Sequence, residues 1–580
     1  MKSKLARRLS AVLLSLALCV GLLGTSTLAA GTVNSVTEKT GSDGSIVVTV
    51  YDQNPGSAGT GAQISSGLSN PVDGVGINAL RIGSVVELTS TDGNGTVSTQ
   101  VAFGLSSDIC TLLGLNTGDA IASQTDGVSG TTTYYFAPTA VQDALKTANQ
   151  TTIENHLEEA SEKKNDVTEE NGIAQFDDLS YGLYLLAKSA LPSNATTDLV
   201  PFLVSVPMYV DNTNSWNSIV YAYPKVRTGD ITNTKTVSPN DDSYVKAGET
   251  LTYTITETIP ASNVATGTGS AQAFTSFVIT DTNTNKTLNV NTESLSVKLG
   301  LDELKGVDKA TFDGNSAQQS TYDYYYTYED AQESGTETLL TVTLTSVGLG
   351  KLNDDMSNEQ TLTVTYEATL ATDVTFQTTV TNSAILTYQR DGMAAPADTA
   401  ASTVILYTYG IDLTKTLSDG GAITADTIQF ALYEDATCQT PIKVETAAQS
   451  GTGYWRNDAA GSSEMYVGTD GKLNLYGLEP GTYYLKETAT IDGYTLLAEP
   501  ITIVITDEDS DGTATATVNN ATAQVTGGLV SLSVENTKNT AGFTLPATGG
   551  EGTLVVTAIG IGCLCIAVIL LAIYRKKTRS

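Results

Sequence analysis

The sequence predicts an all-β chain of three tandem immunoglobulin-like β-sandwiches, with a helical insertion in the first and a transmembrane helix at the C-terminal end. Two observations carry the β prediction. Between residue 31 and about residue 540, runs of Val, Ile, Thr and Tyr alternate with Gly, Asp and Asn turns, the texture of short half-buried strands. A motif also recurs at a constant offset of 299: Gly172, Leu179, Gly182, Tyr184 and Leu186 return as Gly471, Leu478, Gly481, Tyr483 and Leu485. In each copy a strand leads into a glycine turn and a Tyr-x-Leu strand, so the first and last sandwiches are predicted to be related.

The elements follow in chain order. Residues 1–30 read as a secretion signal, with Lys2, Lys4, Arg7 and Arg8 before an apolar stretch at 11–23 and cleavage after Ala29 or Ala30. Residues 31–227 form the first domain. Within it Val141, Leu145, Ala148, Ile153, Leu157 and Ala160 fall at helical spacing behind Pro138, which marks the helical insertion. Its acidic stripe (Glu154, Glu158, Glu159, Glu162) reads as a solvated face. Residues 228–407 are Thr-rich and lack the repeat, hence a different middle sandwich, and 408–540 form the last. Residues 541–580 contain an uncharged apolar run at 554–573, about 20 residues and long enough to span a ~30 Å hydrocarbon core. Arg575, Lys576, Lys577 and Arg579 follow it and favour a cytoplasmic end.

The 580 residues carry 30 Lys/Arg against 63 Asp/Glu. Without the four bases in each terminal segment and Glu551, 22 bases face 62 acids, a net charge of −40. So acidic a chain avoids nucleic acid and anionic membranes. His156 is the only histidine, which leaves little room for His-based catalysis or a clustered His metal site. Outside the terminal segments only Cys110 and Cys438 remain, in different domains. The sandwiches therefore need a good core or a staple other than a disulfide. No cofactor is predicted. Asp507, Asp509, Asp511 and Gly512 open like a calcium loop, but Val518 stands where the closing bidentate Glu belongs. An acidic hairpin turn is the favoured reading and calcium the weak alternative.

Four motifs carry chemistry. Leu545-Pro546-Ala547-Thr548-Gly549, followed by the apolar run and the basic cluster, resembles the sorting signal of Gram-positive surface proteins. The resemblance implies that sortase cuts between Thr548 and Gly549 and holds the Thr548 carbonyl as a thioester until an amine takes it. Trp216, Val220 and Tyr223-Pro224-Lys225 resemble the pilin motif of sortase-assembled backbone pilins, which makes Lys225 the acceptor amine. Ala222 departs from the usual Val. Pro224 fixes its own φ and biases Tyr223 toward extended backbone, which stiffens the chain beside the amine.

In the last domain, the stretch from Tyr483 through Glu487 to Tyr494 resembles the E-box of these pilins, with Thr490 and Ile491 in place of the usual Ala-Pro. In collagen-adhesin B-type domains such a Glu promotes a spontaneous isopeptide between a first-strand Lys and a last-strand Asn. The resemblance gives these roles to Glu487, Lys415 and Asn536. The chemistry requires burial, because desolvation pushes a Lys toward its neutral amine and a Glu toward its protonated form. The protonated acid then polarises the amide and relays protons as ammonia leaves. The middle domain resembles the A-type domain, in which Asp takes the Glu role. Its set is Lys235, Asp281 and Asn382, with Glu257 as the rival acid. In the first domain the repeat puts Lys188 where Glu487 stands, and the strand at 46–51 has no lysine. No internal isopeptide is predicted there.

Together these resemblances imply a backbone pilin: a structural protein and sortase substrate, not a turnover enzyme. It would be secreted, held briefly in the membrane by its C-terminal helix, polymerised through Lys225 and Thr548, and anchored to the cell wall as a surface pilus. The implied partners are sortase, further copies of the chain, minor pilins and peptidoglycan, with a host surface ligand left open. A minor or basal pilin, or a monomeric wall-anchored adhesin, is the alternative.

Overall fold

A computed structural model describes residues 32–53, 61–64, 68–92, 94–210, 215–239, 243–264, 268–330, 335–447 and 453–539. The secretion signal, the pentapeptide containing Thr548 and the apolar run at 554–573 lie outside the described residues. Among those described, no helix is long and apolar enough to cross a membrane. The chain divides into two compact units. The second comprises Tyr407 onward with the segments Asp242–Glu249 and Leu370–Thr379, and the first holds the rest.

The first unit begins with a sheet built on one long strand, Gly76–Thr91, which pairs with Thr32–Glu38, Val97–Leu105 and Gly182–Ala190. Side chains alternate across this sheet as the strand period requires. Tyr184, Leu186 and Val204 pack toward a three-stranded sheet of Gly44–Thr49, Ile173–Leu179 and Ile219–Ala222. Leu183, Leu185 and Leu203 face the opposite way, onto helices Ser107–Leu113, Pro138–Thr147 and Gln150–Glu159. The predicted helical insertion is thus two helices. Asn149 separates them because its side chain accepts from Thr152 N, 2.9 Å away, and caps the second. The helix at Ser107–Leu113 is an addition to the predicted elements.

Further along the first unit, a five-stranded sheet contains Thr232–Ser238, Thr250–Ile259 and Gln360–Leu370 as neighbours. A seven-stranded sheet has Phe274–Thr284 between Glu337–Leu344 and Thr379–Arg390. The Thr-rich strands Thr250–Ile259 and Gln360–Leu370 alternate with period 2. Thr254 and Thr256 are half-buried, while Tyr253, Ile255, Val364 and Tyr366 are buried with Ile279 and Leu386.

The second unit has two six-stranded sheets around one core that includes Ile411, Phe430, Leu485, Ile503 and Val530. Here the repeat becomes structural. Strands Ile173–Leu179 and Gly182–Ala190 return as Lys472–Leu478 and Gly481–Ala489, with every boundary displaced by 299. The Tyr184 hydroxyl donates to the Ser180 carbonyl and that of Tyr483 to the Glu479 carbonyl, each at 2.7 Å. In both copies an opening strand lies between an antiparallel repeat strand and a parallel late strand. Gly44–Thr49 does so beside Ile219–Ala222, and Tyr409–Leu417 beside Leu529–Asn536.

Candidate functional site

The second unit brings the predicted last-domain set together. Lys415 and Asn536 lie on adjacent parallel strands in diagonal register, Lys415 opposite Val534 and Asn536 opposite Leu417. Both side chains point inward, and Glu487 meets them from the other sheet. The Lys415 ammonium is 3.7 Å from Glu487, and both side chains are fully buried at 0 % exposure. Asn536 Nδ2 donates to Glu487 Oε1 at 2.8 Å, and Glu487 Oε2 accepts from Leu497 N at 3.0 Å. Burial pushes the Lys415 amine below its ordinary value, while the neighbouring Glu487 charge pulls the other way. Thr490, which replaces the usual E-box alanine, also accepts from Asn536 Nδ2.

The middle set converges in the same manner. Lys235 comes from an edge strand of one sheet, and Asp281 and Asn382 come from adjacent strands of the other. Lys235 pairs with Asp281 at side-chain exposures of 0 % and 2 %. Burial again lowers the lysine, with Asp281 opposing the shift. A residue the sequence did not single out stands among them. The Tyr366 hydroxyl donates to Asp281, accepts from Asn382 Nδ2 at 2.6 Å and lies 3.4 Å from Lys235 Nζ. The tyrosine ring stacks on Tyr253 with centroids 5.4 Å apart, and Lys235 lies over both rings.

Glu257, the rival acid, is buried opposite Asn233, and among the described residues neither of its carboxylate oxygens has a hydrogen-bond partner. Burial raises it to about 8. The folded domain therefore keeps a proton on Glu257 that the unfolded chain releases above its ordinary value of 4.5. This contribution to stability is complete below the unfolded value and disappears as pH rises through about 8. Wild-type stability should fall across that window by an amount on the order of 5 kcal/mol. Glu257→Gln should flatten the slope, as read from unfolding of the middle domain between about pH 5 and pH 9. An unchanged slope in the variant would show that Glu257 is not the titrating group.

The first domain has a different chemistry at the equivalent place. Val50 N donates to the Gly172 carbonyl as Lys415 N does to the Gly471 carbonyl, so Val50 occupies the Lys415 position. Lys188 pairs instead with Asp198, 2.6 Å from Oδ1, and with Glu154 at 3.2 Å. That corrects the solvated-stripe expectation for Glu154. Helix Gln150–Glu159 turns this carboxylate back onto the sheet, where burial raises its pKa. His156 on the same helix is exposed, as expected for a helix surface.

Lys225 follows the strand Ile219–Ala222 and continues its parallel course beside Tyr51. Tyr51 N donates to the Pro224 carbonyl at 3.2 Å and Val226 N to the Tyr51 carbonyl at 3.1 Å. These bonds fix the backbone on both sides of the lysine. Buried Ala222, Tyr223 and Val226 anchor it, and the Tyr223 hydroxyl accepts from Ile64 N. Lys225 itself is half-buried, and burial followed by the nearby Arg227 charge lowers its amine from the ordinary value. The lysine backbone is thus bonded on both sides at the end of a strand, and its amine is lowered from the ordinary value.

Asp507, Asp509 and Asp511 lie in a hairpin between Ile501–Thr506 and Thr515–Val518. Asp507 is buried and accepts from the Tyr409 hydroxyl and from Gly512 N, while Asp511 accepts from Thr513 N. Protein donors thus occupy both oxygens of Asp507 and one of Asp511, as in an acidic turn.

Comparison with known proteins separates the chain along the same lines. Residues 127–226 match the family of the Gram-positive pilin subunit D1, N-terminal domain, and the match ends one residue past Lys225. Residues 413–522 match the SpaA prealbumin-like fold domain, a span that includes Lys415 and Glu487. One stretch of the chain thus matches a Gram-positive pilin domain and another a prealbumin-like fold domain. The pilin D1 match takes in the helix pair, the first repeat copy and the motif around Lys225. A fimbrial subunit type 1 of Actinomyces viscosus is 26% identical over 455 residues, 70% of this chain and 76% of the relative. Two solved Corynebacterium diphtheriae structures are also similar. The major pilin SpaA is 20% identical over 85% of this chain and 100% of its own, with TM-score 0.45. The major pilin SpaD is 19% identical over 86% and 97%, with TM-score 0.43.

Proposed function

We propose that the chain is the shaft subunit of a covalently polymerised, cell-wall-anchored pilus. Sortase joins the Thr548 carbonyl of one subunit to the Lys225 amine of the next, and two internal Lys–Asn isopeptides stiffen the domains between those points. The observation that carries this reading is the pairing, in one chain, of a rigidly held lysine at the end of a pilin domain with a terminal sorting pentapeptide. A wall-anchored adhesin needs only the second.

Each internal bond forms when the lysine amine attacks Cγ of the asparagine, the Cγ–Nδ2 bond breaks and ammonia leaves. The buried acid takes the proton from the amine and returns one to the departing nitrogen. Glu487 serves Lys415 and Asn536, and Asp281 serves Lys235 and Asn382. This is self-modification without turnover, so the chain acts as a sortase substrate at the cell surface. Its partners are sortase, further copies of itself, minor pilins and finally peptidoglycan.

Wild-type cells should yield a high-mass ladder on denaturing gels of wall extracts, and Lys225→Ala should abolish it while leaving folded monomer. A ladder that persists in the variant moves the acceptor to another lysine. A single band in wild type favours the monomeric adhesin.

A further inference from the structure

The two buried sites differ in how the acid reaches the amide nitrogen that must leave. In the last domain Glu487 touches it directly, with Asn536 Nδ2 donating to Oε1 at 2.8 Å. In the middle domain the acid is an aspartate, one methylene shorter. Asp281 contacts Lys235 through Oδ1, but its other oxygen, Oδ2, meets the Tyr366 hydroxyl, and that hydroxyl meets Asn382 Nδ2 at 2.6 Å. Among the described residues, Asn382 Nδ2 has no hydrogen bond to Asp281. The hydroxyl of Tyr366 spans the missing length. Its own position is fixed by strand register, since Tyr366 lies opposite Tyr253 in the sheet that carries Lys235.

We propose that Tyr366 is a catalytic residue of middle-domain crosslinking, relaying a proton from Asp281 to the departing nitrogen of Asn382. The inference rests on the crosslink reading above and adds a component to it. In the resting arrangement Asn382 N–H donates to the Tyr366 oxygen, and Tyr366 O–H donates to Asp281. Lys235 attacks Cγ of Asn382 as a neutral amine, its proton having passed to Asp281. The new Nζ–Cγ bond creates a tetrahedral centre, and Nδ2 loses its amide resonance and becomes basic. The protonated Asp281 carboxyl then turns its O–H to the Tyr366 oxygen, Tyr366 turns its own O–H to Nδ2, and the tyrosine gives up one proton as it takes the other, so it ends neutral. The Cγ–Nδ2 bond breaks and ammonia departs. The second proton of Nζ goes to Asp281 Oδ1, leaving a neutral isopeptide beside a protonated acid, and no oxidant or other reactant is consumed.

Tyr366→Phe keeps the ring and its stacking on Tyr253 and removes only the hydroxyl. The test follows ammonia loss in the full secreted chain by intact mass, with peptide mapping assigning each linkage. The Lys415–Asn536 bond in the same molecule acts as an internal clock for folding. With the relay removed, Lys235–Asn382 bond formation should slow about 100-fold or more, the usual weight of a positioned proton donor, while Lys415–Asn536 forms on time. Asp281→Glu in the Tyr366→Phe background should restore bond formation, because the longer acid reaches the amide nitrogen as Glu487 does. That rescue is not expected if the hydroxyl serves only to hold the fold. Tyr366→Phe crosslinking at the wild-type rate overturns the relay, and so does a double variant as slow as the single one. A wild-type chain with no Lys235–Asn382 bond overturns the crosslink reading itself, and the relay with it.

Discussion

A Glu487→Ala chain is expected to retain, relative to its own sequence mass, one ammonia that wild type loses, and to give up on the order of 5 kcal/mol of last-domain stability. Wild type should weigh less than its processed sequence by two ammonia losses, and Asp281→Ala should restore the other one. The expectation follows from an arrangement that is costly unless it reacts. Two fully buried groups, Lys415 and Glu487, lie 3.7 Å apart, and burying such a pair costs several kcal/mol per ion if both stay charged. Proton transfer followed by condensation with Asn536 removes the charges and replaces them with a neutral amide. The stabilisation is then that of closing a long loop. Lys415 and Asn536 are 121 positions apart, and the loop-entropy estimate is model-dependent as it is for disulfides. Glu487→Gln keeps the side-chain shape and should also fail to react, which separates lost chemistry from lost packing. A wild-type mass equal to that of the unmodified chain would sink both triads.

Much of this was legible in the sequence because the relevant information is local or repeated. The 299-residue offset carries through to the strand boundaries, since each copy holds its own turn glycines and its own Tyr-x-Leu strand. Inward positions of the Thr-rich strands follow from period 2 alone. Less visible were features that depend on which strands lie opposite each other. Tyr366 sits in an alternating Thr/Val/Tyr strand where a tyrosine passes for core. Only its register against Tyr253 and the facing strand of Asp281 make its hydroxyl a bridge. Glu257 and Asp281 are both inward acids, and apart from the A-type resemblance nothing along the chain says which one Lys235 meets. The register does, placing Glu257 opposite Asn233 and Asp281 against the amine. The partner of Lys188 is equally non-local, because Glu154 reaches it from a helix on the far side of a long connection.

Pulled from its ends, a wild-type polymer of this chain should show no step from unfolding of the last domain, and a Glu487→Ala polymer should show one per subunit. If polymerisation joins Thr548 to Lys225 of the next subunit, tension enters each chain at 225 and leaves at 548. The residues before 225 then lie off the load path. That bypassed part is where Val50 replaces the reactive lysine and Lys188 replaces the acid. In the last domain force arrives along Tyr409–Leu417 and leaves from Leu529–Asn536, which are parallel neighbours. Pulling the start of one and the end of the other loads their hydrogen bonds together in shear. A Lys415–Asn536 bond carries the force directly across and leaves the 121 positions between them slack. Without the bond, rupture of that pairing releases the same length, on the order of 400 Å at full extension. Single-molecule extension of wall-released polymers measures this directly. Steps of about that size in wild type would show that the bond is missing. Steps matching a first domain of roughly 200 residues, on the order of 650 Å, would show that the load path is wrong.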